Sequence, residues 1–554
     1  MTTEFIPIPP DFPVKWEETG DECLFWQLEP HFPKPVTPLD YHINARIPFV
    51  GFNKALKAFH FPLEARTRYI NTCYYVSYVY DNEGMEAKVK ASMEKLDIAM
   101  TTMMASWKNE WLPEIMTHLD YWESFDLTGV SMPALLKHLD ETEKRVDRCW
   151  EIHFLLYLPM LLAPHLFGEM YHDLFPDSGP FEALELLAGF ENANVESSRA
   201  LWDLSRQALA SPAVYKVLAE NDAATVLPRL RDSAQGRSFV AELDKYLEKY
   251  GKRGDRLTLT SPFWVEDPFP VISSLQDYIN QPDRDLSADL KAIKDRREEK
   301  LAKIRETLKT YPQPVVSQFE SLLKAAQEAQ ILREDHGHWI DFPVIYHLRR
   351  VVLEFGTRLT DTGIIDSRDD IFYLMPDELR QAAAMLPRKT DFRGRIAERR
   401  LTEKRFADYS PPPTLGALPS GAFPDDPLSI AFFKIEGFEL PVSEVPDGLS
   451  GHPGSGGTVR GRAKVLRSLS DAGKLEPGDI MVAISAGPTW TPLFGSIAGL
   501  VTDIGGVLSH SAVLAREYGI PAVVGVSTAT SVIQDGQIIE VDGDRGIVRT
   551  SLTL

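Results

Sequence analysis

The chain has 554 residues, 44% of them apolar and 25% charged, with a formal net charge of -21. That length holds about two to four domains with substantial cores, in a composition ordinary for a soluble globular protein. The acidic balance excludes simple electrostatic attachment to nucleic acid or to an anionic membrane, yet leaves room for a small anion held by local arginines.

In chain order, Met1–Pro13 is polar and proline-rich, unlike a secretory leader. Cys23, Cys73 and Cys149 are far apart and have no metal-like spacing, which suits a reducing cytoplasm, the expected location. Ala55–Tyr80, Lys88–Trp111 and Val344–Thr360 are expected to be helical. The tyrosines Tyr69, Tyr74, Tyr75, Tyr78 and Tyr80 are expected to serve helix packing or to line a pocket. The apolar run Phe154 to Phe167 contains prolines, is short for a bilayer span and is expected to be buried helix. Leu286, Leu290, Ile293, Leu301, Ile304 and Leu308 recur at helical spacing, with Lys, Arg and Glu between them on a solvated face.

Ile331–Asp341, the segment ILREDHGHWID, is the densest cluster of acid–base residues before the C-terminal third. On an uninterrupted helix, Glu334, His338 and Asp341 share one face. A carboxylate beside a histidine raises and orients the imidazole as a base, so His336 or His338 can take a proton from a hydroxyl. Arg333 can neutralise a moving phosphate. The competing readings are a metal held by Glu334, His336 and His338, and a plain surface helix. Arg253, in the loop Tyr250–Asp255, is either a phosphate ligand or a turn residue capping a helix.

Pro- and Gly-rich stretches at Ser410–Pro427 and Pro441–Gly457 read as linkers around a short apolar segment, Ile430–Ile435. After Gly457 short β-branched runs appear at Ala463–Leu466, Ile480–Ile484, Leu500–Thr502, Ala522–Val524 and Ile538–Val541, the texture of a small α/β domain. The expected architecture is therefore multidomain: a large, mostly α-helical region (1–409), a linker region (410–453) and a small swivelling α/β domain (454–554).

Within that domain, Gly505-Gly506 delivers His510 to the first turn of a short helix, with Ser509 as N-cap and Gly519 as stop. A histidine there is expected to be exposed, beside free backbone N–H groups and the positive end of the helix dipole, an environment for a phosphoryl group on a ring nitrogen. Ser509, Thr491 and local amides are candidates to cradle it. Ser511 can contact the phosphate or do nothing. Arg516 is as well suited to an ion pair as to phosphate.

The run Gly505–Ala522 resembles the phosphohistidine motif of the mobile domain of phosphoenolpyruvate-utilising enzymes. Ser455–Val465, Thr489–Phe494 and Val541-Asp542-Gly543 resemble that domain's opening strand, loop and closing turn. Further upstream, His31–Leu39, Tyr250–Asp255 with Trp264 and Asp267-Pro268, and Asp369–Leu374 resemble segments of rifampin phosphotransferases and of the histidine-bearing subunit of phenylphosphate synthases. Gly337 stands where the rifampin branch has a lysine, which argues against a rifamycin-like substrate. No glycine-rich phosphate loop or ATP-grasp strand pattern stands out in the N-terminal region, and no phosphoenolpyruvate-binding barrel is expected in this chain.

The resemblance implies a phosphotransferase subunit. A separate ATP-grasp partner, holding ATP and Mg2+, loads His510 and releases AMP and phosphate. The phosphate then passes to an organic hydroxyl, a phenolic compound such as a 4-hydroxyphenyl ketone. This chain is expected to hold no firmly bound cofactor and no metal. The alternatives are a phosphocarrier or regulatory module without an acceptor reaction, and a phosphorylation-coupled lyase or dehydratase.

Overall fold

The residues after Pro62 include Thr67, Tyr69 and Ile70 and the run Tyr74-Tyr75-Val76, side chains that favour strands, and they form a hairpin where a helix over Ala55–Tyr80 is expected. The helix Ile47–Ala58 stops first. The strands are β1 (Phe25–Leu28), β2 (Leu63–Ile70), β3 (Cys73–Tyr80) and β4 (Thr414–Gly416), in an antiparallel sheet of order β2-β3-β1-β4. Asn71 and Thr72 turn the hairpin with φ of 51° and 68°, the left-handed geometry that matches strand twist. Tyr74 and Tyr75 are fully buried, and Tyr41 stacks on Tyr69 at 4.9 Å, so part of the tyrosine run is core.

The computed structural model describes residues 4–179, 181–384, 391–407, 409–418, 426–436, 448–467, 469–507 and 509–550. The chain divides into two units. The first comprises Met1–Pro159, Arg256–Pro262 and His336–Pro424; the second comprises Met160–Asp255, Phe263–Asp335 and Asp425–Leu554. The division thus cuts the region 1–409 itself, and its residues 160–255 and 263–335 group with the C-terminal domain.

In the first unit, Met85–Ser106 and Phe342–Asp361 are helices as expected. One π-helical turn, Gly337–Asp341, precedes the second of these. The helix Met132–Leu174 contains the apolar run at Phe154. Among the described residues it is the one helix long and apolar enough to cross a membrane, and 67% of its most apolar window is buried inside the protein.

In the second unit, Ala193–Ala210, Ala234–Tyr250 and Phe269–Ile279 bury Leu201, Leu243 and Leu275 in a common core. The amphipathic helix Leu286–Leu308 is capped by Asp285, whose side chain accepts from Ala288 N. One of its cations is not on the wet face: buried Arg297 donates to Ala188 O at 2.7 Å and Gly189 O at 3.1 Å.

The stretch that reads as linker contains regular structure. Besides β4 it holds a helix, Pro427–Glu436, which covers the apolar segment, and two strands, β5 (Gly448–Ser450) and β6 (His452–Ser455). Residues 419–425 and 437–447 lie outside the described residues. The remaining strands are β7 (Thr458–Leu466), β8 (Ile480–Ala483), β9 (Gly499–Thr502), β10 (Ala522–Val524), β11 (Ile538–Asp542) and β12 (Ile547–Arg549). They form an eight-stranded sheet of order β5-β12-β11-β7-β8-β9-β10-β6, parallel from β7 to β10 and antiparallel elsewhere. All five strands expected from the β-branched runs are in it. Its two outermost strands, β5 and β6, are separated in sequence by Gly451 alone. A flat sheet of eight strands measures about 34 Å across, and one residue cannot bridge that, so the sheet curls until its edges meet.

Candidate phosphohistidine site

The parallel part of the sheet positions the site. Chain leaving β9 turns at Gly505, whose φ of 116° suits glycine and where a Cβ would lie 2.9 Å from Ser509 Oγ. Ser509 then caps the helix His510–Tyr518, accepting from Ala512 N, and Gly519 ends it with φ 65°. The local architecture expected around His510 is therefore present.

His510 is not exposed as expected: its side chain retains 17% of its accessible surface. Its Nδ1 lies 3.2 Å from Glu334 Oε1, and its Nε2 is buried with no hydrogen-bond partner among the described residues. An imidazole that donates Nδ1–H to a carboxylate keeps its lone pair on Nε2. The geometry thus leaves one nucleophilic nitrogen unengaged.

Glu334 is the hub. Its second oxygen accepts from Asn194 Nδ2. Burial pushes its carboxyl up, but His510, Arg333 and Asn194 outweigh burial and hold it below the usual range. Arg333 is half-buried; Arg253 is buried and also feels the Glu334 charge. Arg253 sits in a loop pinned by Trp264 N donating to its carbonyl at 2.8 Å. His510, Glu334, Arg333 and Arg253 are thus electrostatically linked within one unit.

A cavity of about 480 Å³ adjoins Glu334 and Asn194. Leu286, Leu290, Ile293 and Leu514 give it apolar walls, and Thr491 and Glu517 polar ones. Burial and the like charge of Glu334 push the Glu517 carboxyl up to about 8, against the offset from Arg516. Arg516 itself donates to Gly454 O at 2.5 Å, tying the helix to β6; burial first, then Arg333, brings it down to about 9.

The other residues singled out in the sequence go elsewhere. Ser511 Oγ donates to Ala486 O at 3.0 Å and accepts from Ala486 N at 3.2 Å, so its hydroxyl braces a loop. Glu334, His338 and Asp341 do not follow one continuous α-helical face, because the π turn Gly337–Asp341 inserts an extra residue into the repeat. Asp341 instead meets His153 Nδ1 at 2.9 Å, with the His336 ring 4.6 Å from that of His153. Burial raises the Asp341 carboxyl, but His153, His336 and His31 draw it below its ordinary value. His338 is half-buried with its ring 5.0 Å from Trp339. Among the described residues, the set of three side chains close enough to share a metal ion is His153, His336 and Asp341, not Glu334, His336 and His338. Asn194 and His153 carried no sequence signal, because they meet their partners only through the fold; Glu517 lies in the Gly505–Ala522 motif, which assigns it no role.

Comparison with known proteins agrees with the resemblance to the mobile domain and to rifampicin phosphotransferases. Residues 475–546 match the family described as PEP-utilising enzyme, mobile domain, and residues 157–334 match the rifampicin phosphotransferase fourth domain. The chain is 39% identical over 557 residues to chondramide synthase cmdD of Chondromyces crocatus, an alignment that covers 98% of this chain and 14% of that protein. It is 28% identical over 436 residues to the uncharacterized phosphotransferase YvkC of Bacillus subtilis, covering 78% of this chain and 51% of the relative. Identity to the rifampicin phosphotransferase of Bacillus cereus is 30% over 363 residues, covering 64% of this chain and 40% of the relative. The chain spans about half or less of the length of each of these relatives.

Proposed function

We propose that this chain carries a phosphoryl group on His510 Nε2 and delivers it to an organic hydroxyl. The observation that carries this is the histidine held at Nδ1 by Glu334 while its buried Nε2 has no hydrogen-bond partner among the described residues. In loading, the Nε2 lone pair forms an N–P bond as a P–O bond of the donor breaks. The ring then holds a positive charge, which the Glu334 carboxylate offsets. In delivery, the acceptor oxygen bonds phosphorus, the N–P bond breaks and neutral imidazole with Nδ1–H returns. The acceptor's proton passes to a general base.

The donor in this reading is an ATP-grasp nucleotide-binding subunit that converts ATP to AMP and phosphate, with Mg2+ on that subunit. The acceptor is a phenolic compound, by analogy with phenylphosphate synthase. A 480 Å³ cavity with mixed apolar and polar walls is of a size to enclose one small aromatic ring. It also favours an acceptor reaction over a bare phosphocarrier.

The test is incubation with labelled ATP, an ATP-grasp partner and phenol or a 4-hydroxyphenyl ketone. The expected result is acid-labile, base-stable label on His510 that chases into a stable phosphate monoester. Full turnover by His510→Ala would refute the mechanism. Release of free phosphate with a dehydrated product would favour the lyase reading.

A further inference from the structure

The cluster His153, His336 and Asp341 is not used by phosphoryl carriage on His510. Its three side chains come from separate places: the helix Met132–Leu174, the last residue of the helix Gln313–His336, and the π turn that follows it. One ligand atom from each lies within 4.8 Å of the others. His153 and His336 are buried, at 8% and 5% exposure, while the Asp341 side chain keeps 22%, so one side of the cluster opens to solvent. The π turn makes the arrangement. Its wider repeat brings Asp341 back toward His336 five residues earlier, and such turns concentrate at functional sites.

We propose that His153, His336 and Asp341 bind a divalent transition-metal ion through one nitrogen of each histidine and one carboxylate oxygen. The donor set is two imidazoles and a carboxylate, which suits Zn2+ or Fe2+ and not the all-oxygen preference of Mg2+ or Ca2+. Bond lengths of about 2.0–2.2 Å place tetrahedral ligand atoms about 3.4 Å apart. The 2.9 Å between His153 Nδ1 and Asp341 Oδ1 and the 4.8 Å limit for the whole set bracket that spacing. The ion takes the place of the hydrogen bond between His153 Nδ1 and Asp341, and the ring binds as neutral imidazole with its proton on Nε2. Three protein ligands leave a coordination position for water or a ligand oxygen, reached from the exposed side of Asp341.

Binding is read without turnover, so it stands or falls separately from phosphoryl transfer. The full chain, stripped with chelator, is titrated with Co2+ and then Zn2+. The expected result is saturation at one equivalent, visible d–d bands and displacement by Zn2+. Altering an outer-sphere partner typically costs about 10–100-fold in affinity; His153→Ala and Asp341→Asn are therefore expected to weaken binding at least tenfold, and His338→Ala to leave it unchanged. X-ray absorption of the zinc-loaded wild type guards against variants that fail to fold, and is expected to show two imidazoles and oxygen. No saturable binding by wild type, a zinc shell without imidazole, or loss of binding on His338→Ala with retention on His153→Ala would overturn the proposal.

Discussion

Glu334→Gln removes the charge beside His510 while preserving its volume. Asn194 Nδ2 already donates to one Glu334 oxygen, so the new amide must turn its oxygen toward Asn194 and its NH2 toward His510 Nδ1. A donor facing Nδ1 shifts the ring proton to Nε2 and blocks the nitrogen that takes phosphate. A hydrogen bond to a charged group contributes about 1.5–3 kcal/mol, which corresponds to about a 10- to 150-fold loss of transfer rate. The assay is a single-turnover chase of labelled phospho-His510 into phenol, with the tautomer of His510 followed by 15N NMR. Glu334→Gln with Asn194→Asp gives the amide NH2 an acceptor, so its oxygen can face Nδ1–H again, and part of the rate is expected to return. Unchanged transfer and an unchanged tautomer in the single variant would refute the role of Glu334.

Three further outcomes follow from the same geometry. Gly505→Ala puts a Cβ 2.9 Å from Ser509 Oγ at a φ of 116°; strain of this kind costs about 1–3 kcal/mol, read as a lower midpoint of thermal unfolding. Ser511→Ala leaves Ala486 N and O without the hydroxyl; stability is expected to fall by about 1–3 kcal/mol with phosphorylation of His510 retained, and lost phosphorylation at unchanged stability would show that Ser511 contacts phosphate. The Glu517 carboxyl, raised from 4.5 to about 8, favours the folded state fully below its unfolded value, and that contribution is lost as pH rises through about 8. Glu517→Gln is therefore expected to flatten the decline of stability between pH 5 and pH 8 in denaturant titrations, and an unaltered pH profile would contradict the shift.

Features written within a few residues were legible in the sequence. The glycine turn, Ser509 cap and Gly519 stop around His510 are local, and so are the five strands marked by β-branched runs. Features made by distant partners were not. Glu334 was singled out, but its contact with His510 spans 176 residues and that with Asn194 spans 140. His153 joins Asp341 across 188 residues. The count from Glu334 to Asp341 failed because one π turn changes the helical repeat, which no residue type there announces. The tyrosine-rich segment misled because aromatic residues suit both a packed helix and a strand, and the left-handed Asn71-Thr72 turn decides for the strand. The proline- and glycine-rich stretch hid β5 and β6, short strands whose hydrogen-bond partners, β12 and β10, lie about 70–100 residues further on.

The meeting of β5 and β6 across Gly451 has a consequence for how the C-terminal domain is delimited. At both ends of the sheet, strands from one eight-residue segment cap backbone that would otherwise recruit another chain. A protein cut to begin at Gly454, where the sequence suggests the domain starts, loses β5 and the first half of β6 and weakens both flanks at once. It is then primed for strand exchange or aggregation. Any rotation of this domain as a rigid body must likewise pivot before Gly448, because a bend at Gly451 would unzip both seams.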